Sequence, residues 1–258
     1  MVGMIDLNAD VGEECGDDAA LLSIVTTANV AAGGHAGGGA VLDRTVRLAA
    51  EASVAVGAHP SYPDRPGFGR VSQATDHDAE AIATFVAEQV ITVATACARS
   101  GIEISHVKAH GALYNDAAAD ESIASAFLEG VRQASAHLGQ PSVAVVGLPG
   151  SALESVAGRA GTDFLAEAFA DRAYAPDGRL VPRGHPSGVL HDSGAIARQV
   201  LQIATQGAVT AIDGSLVRVP AVTICLHGDT PGAVASARLA RSELERHGVS
   251  VAAARRPA

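Results

Sequence analysis

Seven short apolar runs alternate with helical stretches along this chain, and that alternation limits its fold more than any other feature. The strand-like runs are residues 4–10, 24–31, 54–58, 103–108, 143–146, 163–169 and 222–226, with a weaker edge strand at 249–251. Helical patterns occupy residues 40–52, 78–100, 121–138, 150–160, 193–205 and 231–247. The second is amphipathic: Ile82, Phe85, Val86, Gln89, Val90, Val93, Ala96 and Cys97 keep mostly to i, i+3, i+4 spacing. Glycines after Ser100, Leu138 and His247 fit helix C-caps. A repeated strand–helix order with short connections calls for parallel strands joined by crossover helices. About seven such units in 258 residues predict an α/β fold, a single (β/α) barrel over residues 1–258. An open doubly wound sheet is the alternative. Its dinucleotide-binding version is weakened because no Gly-x-Gly-x-x-Gly follows a strand. Residues 171–192 form a long loop rich in Pro and Gly, as expected of a lid, a binding loop or a subunit contact. Residues 209–219, with an Ala-Ile-Asp-Gly-Ser turn, predict a β-hairpin insertion.

Composition narrows the function classes. A net charge of −10 argues against nucleic acid as a partner, because phosphate neutralisation needs a clustered basic surface. The short basic pair Arg255-Arg256 reads as a solvated tail. Three cysteines without CxxC spacing fit free thiols in a reducing compartment. The N-terminus has neither a basic nor a long apolar region of the signal-peptide kind, and no apolar run reaches membrane-span length. The expectation is a cytoplasmic protein with no membrane partner. Aromatics are only 3%, so Ala, Val, Leu and Ile must build the core. Of the 18 basic residues, 17 are Arg and one is Lys, at Lys108. Genomic GC bias accounts for the arginines but not for the one retained ammonium.

The chemistry gathers at strand ends. Alternation along the first strand puts Ile5, Leu7 and Ala9 on one face and Asp6, Asn8 and Asp10 on the other. With the apolar face against helices, the polar stripe points into a barrel lumen, where it needs partners to offset burial. His35, His59, His110 and His227 follow the second, third, fourth and last strands, the end of a barrel where sites are built. Lys108 and His110 share a side if the strand continues, and Glu167 and Asp171 flank Phe169 in the sixth. Crowding predicts either a lowered pKa for Lys108 or a role as a cation for an anionic substrate or oxyanion. There is no Gly-x-Ser-x-Gly elbow, no local cysteine-nucleophile signature and no Walker A motif. Asp/His/Lys acid–base water activation remains, with or without a divalent metal. No tight ligand spacing marks a metal; Asp10, His35 and His59 are the residues that would hold one.

Several segments together resemble the LamB/YcsF family, the A subunits of 5-oxoprolinase. They are Ile5-Asp6-Leu7-Asn8-Ala9-Asp10-Val11-Gly12-Glu13, Ala28-Asn29-Val30-Ala31 leading to His35-Ala36-Gly37, and Gly57-Ala58-His59-Pro60-Ser61-Tyr62-Pro63-Asp64. Gly67-Phe68-Gly69-Arg70, Val107-Lys108-Ala109-His110-Gly111-Ala112-Leu113-Tyr114-Asn115, Glu167 through Tyr174, Leu180 through Arg183, and His227-Gly228-Asp229 complete them. The resemblance implies a barrel related to carbohydrate deacetylases and glycoside hydrolases. It implies ATP-dependent hydrolytic opening of 5-oxo-L-proline to L-glutamate, in a complex with B and C subunits. Under it, Asp10 with His35 or His59 activates water, and Lys108 and His110 steady the substrate carboxylate or developing charge. Asn8, Glu13, Tyr114, Glu167, His227 and Asp229 would bind or orient substrate. Without a P-loop, the ATP site would be non-standard or lie on the partners, and self-association is left open. The chain departs from the family pattern at Ala32, Gly34, Gly38 and Gly39, where Cys, Phe, Asp and Pro are usual, and at Ala109, usually Pro. That predicts an emptier, looser loop around His35. The competing readings are a stand-alone metal-dependent deacetylase and a non-catalytic scaffold subunit.

Overall fold

The computed structural model describes residues 3–141, 143–228 and 232–254. The elements run β1 (Met4–Val11), α1 (Asp18–Leu22), β2 (Thr27–Ala31), α2 (Gly39–Glu51), β3 (Ala55–His59), α3 (Ala79–Arg99), β4 (Ile104–Lys108), α4 (Gly111–Ala119) and α5 (Glu121–Leu138). They continue with β5 (Ala144–Gly147), α6 (Ala152–Ala160), β6 (Phe164–Phe169), α7 (Ser193–Gln206), β7 (Ala208–Thr210), β8 (Leu216–Arg218), β9 (Thr223–Cys225), α8 (Ala233–Arg246) and β10 (Ser250–Val251).

Seven strands close on themselves in the order β1-β2-β3-β4-β5-β6-β9, and β9 returns to β1. Every pairing in the ring is parallel; the closing one sets Asp6 beside Thr223 and Asn8 beside Cys225. This closure decides for a barrel over an open sheet. β10 adds to the outer edge of β1, and β7 and β8 form the antiparallel hairpin. Ile5, Leu7, Ala9 and Val11 are buried beneath the helices. Asp6 and Asn8 are buried on the lumen side. The helices are capped as their sequences dictate: Asp78, Asp120, Ser151 and Asp192 accept N-terminal amides, and Gly139, Gly161 and Gly207 close C-termini in the left-handed region.

Three departures from the sequence reading have local causes. Ile24 and Val25 are not strand: their amides bond back to the Leu21 carbonyl, closing the turn after α1, and their apolarity reflects burial alone. Short α1 is started by Asp17, whose side chain accepts from the Ala20 amide. Helix α4 hides in the lysine–histidine motif because its first residue, Gly111, sits at φ +57° where a Cβ would come 2.4 Å from the Gly69 carbonyl oxygen. Helix α3 is by length and composition apolar enough to cross a bilayer, yet its apolar face is buried against β3, β4 and α5. The loop at 171–192 is tied into one piece by bridges between Arg172 and Val189 and between Tyr174 and Leu180. Arg172 reinforces it by donating to the Gly188 and Val181 carbonyls.

One glycine of the barrel wall is there for space. A Cβ on Gly57 would stand 2.2 Å from Nε2 of His106, whose ring fills the lumen beside it. Gly57→Ala is therefore expected to destabilise the fold by about 1–3 kcal/mol through overpacking. A urea midpoint equal to that of the unaltered chain would show that His106 can shift freely.

Candidate active site

The lumen is a stack of polar layers. At its lower end Asp6 accepts hydrogen bonds from Thr26 (2.6 Å), Thr27 (2.7 Å) and Thr223 (2.5 Å), and burial raises its pKa. Above it, the Asn8 amide donates to Thr223 (2.7 Å) and to Glu167 (3.0 Å), and its oxygen accepts from Asn29 (2.8 Å). Asn29 also donates to Asp10 at 2.8 Å. Its amide oxygen, 2.7 Å from His106 Nε2, can only accept, so that nitrogen carries the hydrogen. His106 is the neutral tautomer, its pKa pushed down to about 3 by burial. Each layer thereby orients the next.

At the upper end, the Lys108 ammonium lies 3.0 Å from Asp10 Oδ1, 2.9 Å from Glu167 Oε1 and 3.2 Å from the Cys225 sulfur. Burial works against a charged lysine, but Asp10 and Glu167 outweigh it and hold the Lys108 pKa well above its usual value. Burial likewise opposes the Asp10 carboxylate, and the charges of His59 and Lys108 overcome it and hold the acid well below its ordinary range. Asp10 is thus a fixed anion beside a fixed cation, with Oδ1 engaged and Oδ2 3.4 Å from His59 Nε2.

A second cluster adjoins it. Glu13 Oε1 lies 3.0 Å from His35 Nε2, 3.2 Å from His110 Nδ1 and 3.8 Å from His59 Nε2. The rings of His35 and His110 stack with centroids 3.6 Å apart. Burial pushes His35 down to about 4 and lowers His110, whereas in His59 the pull of Asp10 overcomes burial and raises the pKa. Burial disfavours the Glu13 charge, yet hydrogen bonds from His110 and His35 hold that carboxyl well below its usual value. On the opposite side His227 Nδ1 donates to Asp171 at 2.8 Å, and the His227 ring stacks on Phe169.

Both clusters open into a cleft of about 450 Å³ at the ends of the strands. Asp10, Glu13, His59, Lys108, His110, Tyr114 and His227 line it; Phe169, Leu180 and Pro182 supply an apolar wall. Arg70 and Arg183 add positive charge, and the first residues of α4 face the same space. A small polar molecule with one anionic end and one apolar side suits such a cleft.

The LamB/YcsF family model matches residues 5–258, nearly the whole sequence. The chain belongs to the LamB/YcsF family. It is similar to the 5-oxoprolinase A subunit of Streptomyces avermitilis, with 48% identity over 255 residues, covering 97% of this chain and 99% of that one. Among solved structures it is similar to the lactam utilization protein of Thermus thermophilus, with a TM-score of 0.90, 38% identity, and coverage of 97% and 100% of the two chains. A catalytic domain of a peptidoglycan N-acetylglucosamine deacetylase from Eubacterium rectale shares the fold alone, with a TM-score of 0.50, 10% identity, and coverage of 99% and 90%.

Within this family member the expected site residues separate into layers. Asp10, Glu13, His59, Lys108, His110, Tyr114 and His227 reach the cleft. Asn8, Glu167 and His35 do not line it. Asn8 and Glu167 are almost fully buried and hold Lys108 and one another from below, so any contact with substrate is replaced by a positioning role. His35 lies behind His110 and meets Glu13 but not Asp10, so the set Asp10–His35–His59 is not what converges. The donors that do converge are Glu13, His35, His59 and His110. Asp229 and the pair Arg255-Arg256 lie outside the described residues. The lowered lysine pKa is also overturned, because two carboxylates reach the ammonium.

The loop around His35 is clamped rather than loose. Arg65 donates to the Gly33 and Gly37 carbonyls at 3.0 Å, and Gln89 fills the space beside Gly34, where a Cβ would come 2.4 Å from its amide oxygen. Five further residues belong to the site: Asn29, His106, Asp171, Arg70 and Arg183. His106 carried a signal, since it is two residues before Lys108 and so shares its face. The arginines sat inside quoted segments but are indistinguishable by sequence from the other exposed ones.

Proposed function

We propose that this chain is the A subunit of a 5-oxoprolinase and hydrolyses the lactam bond of 5-oxo-L-proline, giving L-glutamate at the expense of ATP. The observation that carries the reading is the ionised Asp10, held by Lys108 and Asn29 through one oxygen and lining the cleft, in a chain similar over its length to proteins of that name. A water there donates one hydrogen to Asp10 Oδ2, which aims the oxygen lone pair at the lactam carbonyl and takes the proton as the bond forms. The Lys108 ammonium counters the negative charge gathering at the carbonyl oxygen. His227, oriented by Asp171, returns a proton to the ring nitrogen as the carbon–nitrogen bond breaks. Arg70 and Arg183 face the substrate carboxylate, and Phe169, Leu180 and Pro182 face the ring methylenes.

A lactam is a stable amide, so attack needs prior activation, for example phosphorylation of its oxygen by ATP; water attack and carbon–nitrogen cleavage then leave an acyl phosphate, which a second water hydrolyses to glutamate and inorganic phosphate. The cleft does not suit ATP. Its one lysine is locked between two carboxylates and cannot follow a triphosphate, and no glycine-rich phosphate loop lines it among the described residues. ATP is therefore assigned to the partner B and C subunits. The assay is glutamate release from 5-oxoproline, with this chain alone, with the B and C partners alone, and with all three. Only the full set plus ATP is expected to turn over. Release by B and C without this chain would refute the assignment.

A further inference from the structure

Glu13, His35, His59 and His110 come from the ends of four successive barrel strands and bring one donor atom each to within 4.8 Å of one another. Their orientation is fixed from outside. His59 Nδ1 lies 2.8 Å from the Lys108 carbonyl oxygen, which only accepts, so Nδ1 carries a hydrogen and, in the neutral ring, Nε2 is the nitrogen free to bind a metal. His110 Nε2 lies 2.9 Å from the Phe68 carbonyl oxygen, which leaves Nδ1 as the nitrogen that faces Glu13 and, in the neutral ring, can bind a metal. These two nitrogens face each other across 3.1 Å, and Glu13 Oε1 stands 3.2 Å from the second of them. A cation at the centre satisfies all of them.

We propose that Glu13, His35, His59 and His110 bind a divalent first-row cation of the zinc class. Four donors about 2.0–2.1 Å from one tetrahedral ion stand about 3.3 Å apart. The measured separations around Glu13 and between His59 and His110 are 3.0, 3.1, 3.2 and 3.8 Å. Three imidazoles and one carboxylate select zinc or a neighbouring ion over magnesium or calcium, which prefer all-oxygen sites. Backbone carbonyls holding the far nitrogens of His59 and His110 are the outer support such ligands need. His35 is held differently, by stacking on His110 and an edge contact with Phe68, so its ring must turn out of that stack to face the ion; its Nδ1 has no partner among the described residues. Glu13, His59 and His110 line the cleft, so the ion is reached from the substrate side, next to Asp10. A zinc ion there supplies a Lewis acid and lowers the pKa of a water it binds.

The site stands on its own geometry, whatever the substrate. The full chain, stripped with a chelator and dialysed, is titrated calorimetrically with zinc chloride and crystallised with it for an anomalous map at the zinc edge. One ion per chain is expected, with its peak between the four donors and no displacement by magnesium chloride. Glu13→Gln and His110→Ala should each weaken binding by about 100-fold or more, and circular dichroism shows whether each variant is folded. The map needs no variant. Absence of a peak at saturating zinc, or a peak elsewhere, including the Asp10–Cys225–His227 group, overturns the proposal.

Discussion

Asp10→Asn is expected to lower ATP-dependent glutamate release in the reconstituted enzyme by about 10²–10⁴-fold, the contribution of a positioned proton acceptor. The substitution is nearly isosteric. An asparagine oxygen still accepts from Asn29 and Lys108 at the Oδ1 position, so the lumen network keeps its geometry. The Oδ2 position becomes an amide that donates, and the water loses the acceptor that aims it. Lys108 retains Glu167 as a counter-ion at 2.9 Å, so the variant should fold and assemble like the original. Initial rates at saturating 5-oxoproline, with gel filtration to confirm assembly, separate loss of chemistry from loss of complex. Turnover within a few-fold of the original would remove Asp10 from the reaction and leave the scaffold reading in its place.

Much of the fold was legible because it rests on periodicity. Barrel strands are buried on their outer faces by helices, so runs such as Val54 to Ala58 announce themselves, and the alternation at Asp6, Asn8 and Asp10 correctly placed a polar stripe in the lumen. What periodicity cannot supply is pairing across the barrel. Asn8 meets Glu167 and Thr223, and Asp10 meets Asn29 and Lys108, through closure of β9 onto β1 and through registers that no single segment encodes. The split of the histidines was hidden for the same reason. His35 and His59 follow equivalent strands, yet only His59 comes within reach of Asp10, because the His35 ring packs on the far face of His110. The looser loop expected from the glycines near His35 failed on a long-range term, the clamp from Arg65 and the filling by Gln89. Short α4 escaped notice because its start depends on a positive-φ glycine packed against another loop rather than on an amphipathic pattern.

The lone lysine explains itself by what surrounds it, and its removal should have the largest effect on stability. Nζ meets Glu167 at 2.9 Å, Asp10 at 3.0 Å, Cys225 at 3.2 Å and the Asn8 oxygen at 3.4 Å, at the floor of the cleft. A compact ammonium with three donors fits that space; a planar guanidinium, larger and forked, does not. Codon bias that converts surface lysines to arginine has no purchase here. Lys108→Met strands the fully buried Glu167 carboxylate with no cation and leaves Asp10 only His59, a loss of about 3–5 kcal/mol. For a chain of this size that lowers the thermal midpoint by about 6–20 °C. Lys108→Arg should rescue little of it. Adding Glu167→Gln to Lys108→Met removes the stranded charge and should recover a large part, which a general loss of packing would not allow. If Lys108→Met unfolds at the original temperature, the ammonium is not the counter-ion that holds this barrel floor together, and the fixed charge assigned to it beside Asp10 falls with it.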